Sequence, residues 1–451
     1  MQKLFGTDGI RGKSNVDPMT SELALRLGRT SAYILHKKKR KAKILLGKDT
    51  RISSDMLEGA LSAGIVSVGV DCLKVGILPT PGIAYLTRIL KADAGIVISA
   101  SHNPFDDNGI KFFGPDGFKL SDATEEKIEE AIFNQIDRKI ISYPTGAGIG
   151  RMIHVGDAID KYKQFLKNSV EGLKLDGISI LLDCANGATS YIAPEVFKEM
   201  GANVFVVNNI PNGININHKC GSLYPEYMKK YMKKYNADIG FCFDGDGDRV
   251  IVIDELGNII DGDYIMTACA KHLKFIGRLK KNILVVTVMS NLGLYFACRE
   301  AGIEIRETKV GDRYVAEEML VSGAIIGGEQ SGHIIFFEHH TTGDGIMTAL
   351  QVLKLLRDID KPASEISKVM KKFPQILVNV EVKEKPPLET IPEIQQIIQE
   401  VKDTLKDTGR VVVRYSGTEP KCRVMLEGQD EAQIKTLAQK IADVISKNIG
   451  K

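Results

Sequence analysis

Short apolar runs alternate with helical patterns along most of the chain, and that alternation constrains the fold more than any other feature. "AKILLGKD" (42–49) reads as a strand and "SSDMLEGALSAGIVSVG" as the helix after it. "DAGIVISAS" (93–101) is a further strand, and "TEEKIEEAIFNQI" (124–136) a helix with acidic residues in its first turn. A glycine-rich stretch, "YPTGAGIGRMIHV" (143–155), then interrupts the pattern. The unit returns with "GISILLDCANGAT" (177–189), a helix, and two strands around an acidic turn at 237–259. It returns again from "NILVVTVMSN" (282–291) to "SGAIIGGEQSGHIIF" (322–336). Such alternation predicts open α/β sheets, mostly parallel or mixed, with functional loops at strand ends.

After residue 370 the order changes. Helix "IPEIQQIIQEVKDTL" (391–405), strands "GRVVVRYSG" and "KCRVMLEG", and a last helix predict a smaller α+β unit. The chain therefore divides into α/β domains at 1–150, 151–253 and 254–370 and an α+β domain at 371–451. A length of 451 residues agrees, being too great for one hydrophobic core.

Composition excludes several classes of partner. A net charge of +3 gives no general affinity for nucleic acid. The basic run from Lys37 to Lys41 reads as a solvated helix end. Seven cysteines without a CxxC pair predict free thiols in a reducing compartment. "MQKLFGTDGIRG" lacks the apolar core of a signal peptide, and no uncharged run is long enough to span a bilayer. These features predict a cytoplasmic protein with neither membrane nor nucleic-acid partner.

Five loops carry chemistry-bearing residues. In "Phe243-Asp244-Gly245-Asp246-Gly247-Asp248-Arg249" three carboxylates alternate with glycines between apolar strands. So many like charges require a cation, and hard oxygen ligands suit Mg2+. The neighbouring Arg249 is placed to hold phosphate. "Gly328-Glu329-Gln330-Ser331-Gly332-His333" suits hydroxyl or amine recognition on a sugar. "Arg414-Tyr415-Ser416-Gly417-Thr418-Glu419-Pro420-Lys421-Cys422-Arg423" offers guanidiniums, hydroxyls and a glycine amide as a phosphate cradle. Arg11 in "FGTDGIRG" adds another phosphate contact. "SASHNPFDDNGIKF" ends a strand abruptly, and Ser101 there is either a loop cap or a reacting group.

Read in order, these signatures resemble the α-D-phosphohexomutase superfamily over essentially the whole length, and most closely its bacterial amino-sugar branch. "PNGININHKCGS" and "GRVVVRYSGTEP" strengthen the likeness to that branch. The resemblance implies four domains around one cleft, the last like the TATA-box-binding protein and acting as a lid. It implies that Ser101 carries a phosphoryl group and completes a Mg2+ site with Asp244, Asp246 and Asp248. It assigns Glu329 and Ser331 to sugar hydroxyls, with His333 beside them. Arg414, Ser416, Gly417, Thr418 and Arg423 are assigned to the non-reacting phosphate.

The implied reaction interconverts glucosamine 6-phosphate and glucosamine 1-phosphate through a sugar 1,6-bisphosphate. That bisphosphate, of glucosamine or glucose, also serves as activator. Arg11 and Lys111 would neutralise charge at the reacting end, and His102, Lys111 or His333 would handle the proton. Strand alternation would turn His102 away from Ser101, and Asn108-Gly109 reads as a turn. The motifs also fit a phosphomannomutase or phosphoglucomutase, and a noncatalytic sugar-phosphate sensor is the alternative of another class. A homodimer through the first domain is implied as well. The sequence departs from the branch pattern at Ser222-Leu223-Tyr224 and at Tyr415.

Overall fold

The computed structural model describes residues 4–6, 8–35, 41–136, 141–416 and 420–451. The basic residues 37–40 lie outside them, as do Gly417 and Thr418 of the expected phosphate cradle. The first sheet contains β1 (Ile10–Lys13), β2 (Lys43–Lys48), β3 (Asp71–Ile77), β4 (Ala94–Ile98), β5 (Asp107–Phe113) and β6 (Met152–His154). Their order is β1-β5-β4-β2-β3-β6. β4 reads Ala-Gly-Ile-Val-Ile and is buried at every position, as a central strand between helix layers should be. Burying each of Ile96, Val97 and Ile98 contributes about 1.5–3 kcal/mol.

The second sheet contains β7 (Ser179–Asp183), β8 (Asn203–Val207), β9 (Ile239–Phe243), β10 (Val250–Asp254) and β11 (Ile259–Ile260), in the order β11-β10-β9-β7-β8. The third contains β12 (Ile283–Thr287), β13 (Glu304–Thr308), β14 (Ile326–Gly328) and β15 (Ile334–Phe336), in the order β13-β12-β14-β15. In the fourth domain β16 (Gln375–Glu381), β17 (Gly409–Tyr415) and β18 (Lys421–Gly428) form an antiparallel sheet, β16-β18-β17. β6 pairs with β3 and β11 with β10, so strand pairing carries the first two sheets past residues 150 and 253.

The three α/β domains share one plan. Each has a parallel core and an antiparallel hairpin whose first strand belongs to that core: β4–β5, β9–β10 and β14–β15. The hairpin turns are the chemically rich loops of the sequence: Ser101, the aspartates and Glu329 to His333. In the fourth domain Arg414 lies on β17 and Arg423 on β18, an antiparallel pair.

Asn108-Gly109 is not a turn. Both residues lie within β5, opposite Gly12 and Arg11 of β1. Asn108 Nδ2 donates to Ser53 Oγ at 2.8 Å and to Ser54 Oγ at 3.1 Å. A side chain at Gly109 would place its Cβ 2.5 Å from the Ser99 carbonyl, so close backbone approach explains the glycine. The bend sits upstream, from Ser101 to Asp106.

One continuous core runs through the α/β domains, including Val97 and Phe113 of the first, Phe241 of the second and Ile346 of the third. The fourth domain packs a separate core around Ile394, Val424, Leu426 and Ile441. It is pinned to the third through buried Glu427, which accepts from Asn291 Nδ2 at 3.0 Å and from the Leu292 N–H at 3.2 Å. All seven cysteines are buried and free. Among the described residues no helix is long and apolar enough to cross a membrane.

His340 is buried where the third domain meets the first. Its Nε2–H donates to the Pro81 carbonyl at 2.9 Å, and its Nδ1 accepts from the Thr341 N–H at 2.8 Å. Both nitrogens are thus committed to the neutral ring. Burial, with Arg88 acting in the same direction, pushes its pKa down from 6.5 to about 4. The folded protein therefore binds fewer protons than the unfolded chain between those values. The contribution is intact above pH 6.5 and is lost as pH falls toward 4. Between about pH 7.5 and pH 5 the expected loss of stability is roughly 2 kcal/mol. His340→Gln should lose that part of the slope; identical acid slopes in urea melts of both proteins would refute the assignment.

Candidate active site

Ser101 follows β4 in a left-handed conformation, φ 52°, and is almost completely buried. Its N–H donates to Ser99 Oγ at 2.9 Å, and Ser99 Oγ donates to Asp49 Oδ2 at 2.7 Å. The left-handed turn aims Ser101 Oγ out of the first domain, where it donates to Asp244 Oδ2 at 2.6 Å. His102 belongs to the same turn and escapes strand alternation. Its Nδ1 lies 3.4 Å from Ser101 Oγ, contrary to the expectation that it points away. Burial, followed by Arg249 and Arg11, lowers its pKa to about 4, so the ring is neutral at pH 7.

The β9–β10 turn brings carboxylate oxygens of Asp244, Asp246 and Asp248 within 4.8 Å of one another, all buried. A Cβ on Gly245 would sit 2.7 Å from the Ser101 carbonyl, so this glycine lets the two loops touch. Thr80 Oγ1 donates to Asp246 Oδ2 at 2.6 Å. Asp246 Oδ1 and Asp248 Oδ1 are buried without a hydrogen-bond donor. Burial, then Asp248 and Asp246, raises the Asp244 pKa well above the usual carboxylate range. Asp248 moves the opposite way: burial opposes ionisation, but Lys111, His333 and Arg249 outweigh it. Orphaned oxygens on a buried oxygen-only donor set fit a hard divalent cation.

Lys111, on β5, is buried with Nζ 2.9 Å from Asp246 Oδ2, 3.1 Å from Asp8 Oδ2 and 3.6 Å from Asp248 Oδ2. Burial favours its neutral form, yet Asp246, Asp8 and Asp248 raise its pKa above the ordinary lysine value. These carboxylates hold it in its charged form. Asp8 also pairs with Arg11 and with Lys119, and Lys119 pairs in turn with Asp312 of the third domain. Arg249 N–H donates to Asp244 Oδ1 at 3.2 Å, and its Nε lies 3.7 Å from Asp248 Oδ1.

His333 is buried rather than open to solvent. Its Nδ1 lies 3.6 Å from Asp248 Oδ2, while Nε2 accepts from the Gly343 N–H at 3.1 Å. Glu329 Oε1 accepts from the Gly311 N–H at 3.0 Å, and Ser331 Oγ lies 3.4 Å from Glu329 Oε2. Arg414 and Arg423 face each other across the β17–β18 pair. Burial and Arg423 lower the Arg414 pKa, against the favourable charge of Glu329. Ser416 is buried beside them. Tyr415, one of the two departures, donates from its hydroxyl to the Pro386 carbonyl at 2.7 Å, a packing role within the fourth domain.

The structure thus gathers Ser101, His102, Lys111, Arg11, the aspartates, Arg249 and His333 into one network. Sequence reasoning missed Asp49, Arg51, Thr80, Asn217 and Lys119. Asp8 was visible only as part of the "GTDGIRG" string.

Models of the phosphoglucomutase/phosphomannomutase family match in sequence order: alpha/beta/alpha domain I at 2–139, domain II at 159–257, domain III at 261–373 and the C-terminal domain at 377–444. The phosphoglucosamine mutase of Geobacter metallireducens is 54% identical, with 100% of each chain covered. That of Citrifermentans bemidjiense is 53% identical, covering 100% of this chain and 99% of its own. A phosphoglucomutase/phosphomannomutase family protein from Burkholderia thailandensis has the same fold, with TM-score 0.81, 22% identity and 100% of both chains covered. So does the N-acetylphosphoglucosamine mutase of Aspergillus fumigatus solved with GlcNAc-6P and magnesium, with TM-score 0.67, 18% identity and 98% and 95% covered. Matched domain by domain and end to end, the chain belongs to the phosphoglucomutase/phosphomannomutase family, the α-D-phosphohexomutases, on the side of the bacterial phosphoglucosamine mutases.

Proposed function

We propose that the protein is a phosphoglucosamine mutase, an intramolecular phosphotransferase interconverting glucosamine 6-phosphate and glucosamine 1-phosphate. The observation that carries this reading is Ser101 Oγ meeting the buried aspartate cluster at 2.6 Å, in a chain more than half identical to enzymes of that name. Ser101 carries the phosphoryl group and gives it to the free hydroxyl of the sugar phosphate. The sugar 1,6-bisphosphate so formed turns over and returns its other phosphoryl group to Ser101. Glucosamine or glucose 1,6-bisphosphate is accordingly the activator that loads the enzyme.

The side chains divide the work. Asp244, Asp246 and Asp248 would hold Mg2+, with Ser101 beside them. Bound there, the ion withdraws charge from the transferring group. Lys111 and Arg11, kept cationic by Asp8 and the aspartates, neutralise the oxygens at the reacting end. The geometry favours His102 as proton carrier, because it is neutral and lies near Ser101 Oγ. His333 steadies Asp248, and Arg249 is placed for a phosphate oxygen. Glu329 and Ser331 face the sugar hydroxyls. Arg414, Ser416 and Arg423, with Gly417 and Thr418 of the same loop, take the phosphate that is not reacting. Seven free thiols support a cytoplasmic setting, and a homodimer through the first domain belongs to the same reading.

Specificity is the finer part of the proposal. With Mg2+ and catalytic glucose 1,6-bisphosphate, kcat/KM for glucosamine 6-phosphate should exceed those for glucose and mannose 6-phosphates by at least about tenfold. Equal or better use of the neutral sugars would replace this reading with a phosphoglucomutase or phosphomannomutase. Binding without turnover on any of the three would favour a sensor.

A further inference from the structure

We propose that Arg51 is the positioning residue of the Ser101 loop, holding the nucleophile in its left-handed conformation through the carbonyls beneath it. This rests on the reading of Ser101 as phosphoryl carrier. Arg51 leaves β2 in the string Gly47-Lys48-Asp49-Thr50-Arg51 and is fully buried at its side chain. Its Nε donates to Asp49 Oδ2 at 2.8 Å. Its Nη2 donates to the carbonyls of Ser101 and Asn103, each at 2.9 Å. Its Nη1 donates to the carbonyl of Asp107 at 3.1 Å and to that of Pro104. Every N–H of one guanidinium is therefore engaged, four of them by carbonyls of a single turn.

Converging carbonyl oxygens repel one another, and a buried turn that points four of them at one place needs a cation there. The planar guanidinium satisfies them all in fixed directions, as a lysine ammonium with three donors cannot. Asp49 balances its charge and extends the hold, accepting from Ser99 Oγ at 2.7 Å and Ser54 Oγ at 3.1 Å. Ser99 Oγ in turn accepts from the Ser101 N–H. Ser101 is thereby gripped at its N–H and at its C=O, which leaves its φ of 52° and the aim of Oγ little freedom.

The second domain closes the grip from the other side. Asn217 Nδ2 donates to the Ser101 carbonyl at 2.9 Å and to the Asn103 carbonyl at 3.0 Å. Gly245 of the metal loop lies against the same Ser101 carbonyl. The neighbours of Arg51 reach across as well: Thr50 Oγ1 donates to the Asn186 carbonyl at 2.6 Å, and the Ile52 N–H to the Gly213 carbonyl at 2.9 Å. None of the hydrogen bonds of Arg51 goes to Asp244, Asp246, Asp248 or Ser101 Oγ, so its effect on transfer is exerted through the loop.

The test is phosphoryl loading. Full-length wild type, R51K and N217A are mixed with glucose 1,6-bisphosphate and Mg2+, and arrival of phosphate on Ser101 is followed by quenched flow and phosphopeptide mass. Melting curves report folding separately. Loading should slow about 100-fold in R51K and roughly tenfold in N217A, with KM for glucosamine 6-phosphate within about threefold of wild type. A folded R51K that loads within about threefold of wild type overturns the clamp, as does a rise in KM at unchanged kcat. If R51K does not fold, N217A, which keeps the guanidinium, decides by the same criterion. Failure of wild type itself to load Ser101 removes the phosphoserine reading and the clamp with it, and is recognisable because the defect precedes any substitution.

Discussion

Ser101→Ala should lower turnover by at least about 10⁴-fold, even with sugar 1,6-bisphosphate supplied in excess. The bisphosphate can load a dephosphorylated serine but has nothing to load in the variant. Folding should survive, because the replaced hydroxyl makes one strong hydrogen bond, to Asp244, and a divalent cation satisfies that carboxylate in its place. Alanine also inherits the left-handed backbone that serine already tolerates, with Arg51 and Asn217 still gripping the Ser101 carbonyl. The variant should therefore melt near wild type and still bind glucosamine 6-phosphate. Turnover near the wild-type level, measured by formation of glucosamine 1-phosphate, would remove Ser101 from the chemistry.

Stripping divalent cations with a chelator should lower turnover by about 10³-fold or more, and it should also soften the fold. Three buried carboxylates meet beside Lys111, His333 and Arg249, and two of their oxygens lack donors. A cation that binds only the folded protein stabilises it by about 2.7 kcal/mol at 100 times its Kd. Mg2+ should therefore raise the melting temperature of wild type and do so much less in Asp246→Asn, where a neutral amide replaces one ligand. The melting shift is read without substrate, so it tests the cluster independently of the reaction. A melting temperature and a rate both indifferent to chelation would show that Lys111, His333 and Arg249 suffice.

The parts of this site that were legible in the sequence are those whose chemistry is local. Aspartates alternating with glycines must curve and must be neutralised, wherever the rest of the chain goes. Arg414 and Arg423 likewise announce an anion from a short string. What escaped notice depends on contacts between distant segments. Arg51 looks like the residue between a strand and a helix, and only the fold places it beneath a turn some fifty positions later. Lys119 is one lysine among many until Asp8 and Asp312 are brought to it. Asn108-Gly109 carries the strongest local turn signal in its neighbourhood. Pairing with β1 and the nearness of the Ser99 carbonyl override it. Local propensity was outweighed there by strand registry, which no short window contains.

The recurrence of one antiparallel hairpin beside a parallel core, in three successive domains, bears on how such a catalyst changes over time. The scaffolds are alike, so under the proposed function the division of labour resides in the turns: a phosphoryl carrier, an ion holder and a sugar reader. Each turn is a handful of residues fixed at both ends by strands, and the first of them adds Lys111 from β5. Substrate preference can then drift by substitution around Glu329 and Ser331 while the phosphoryl and ion turns stay untouched. A lineage built this way can acquire a new sugar without inventing a new reaction.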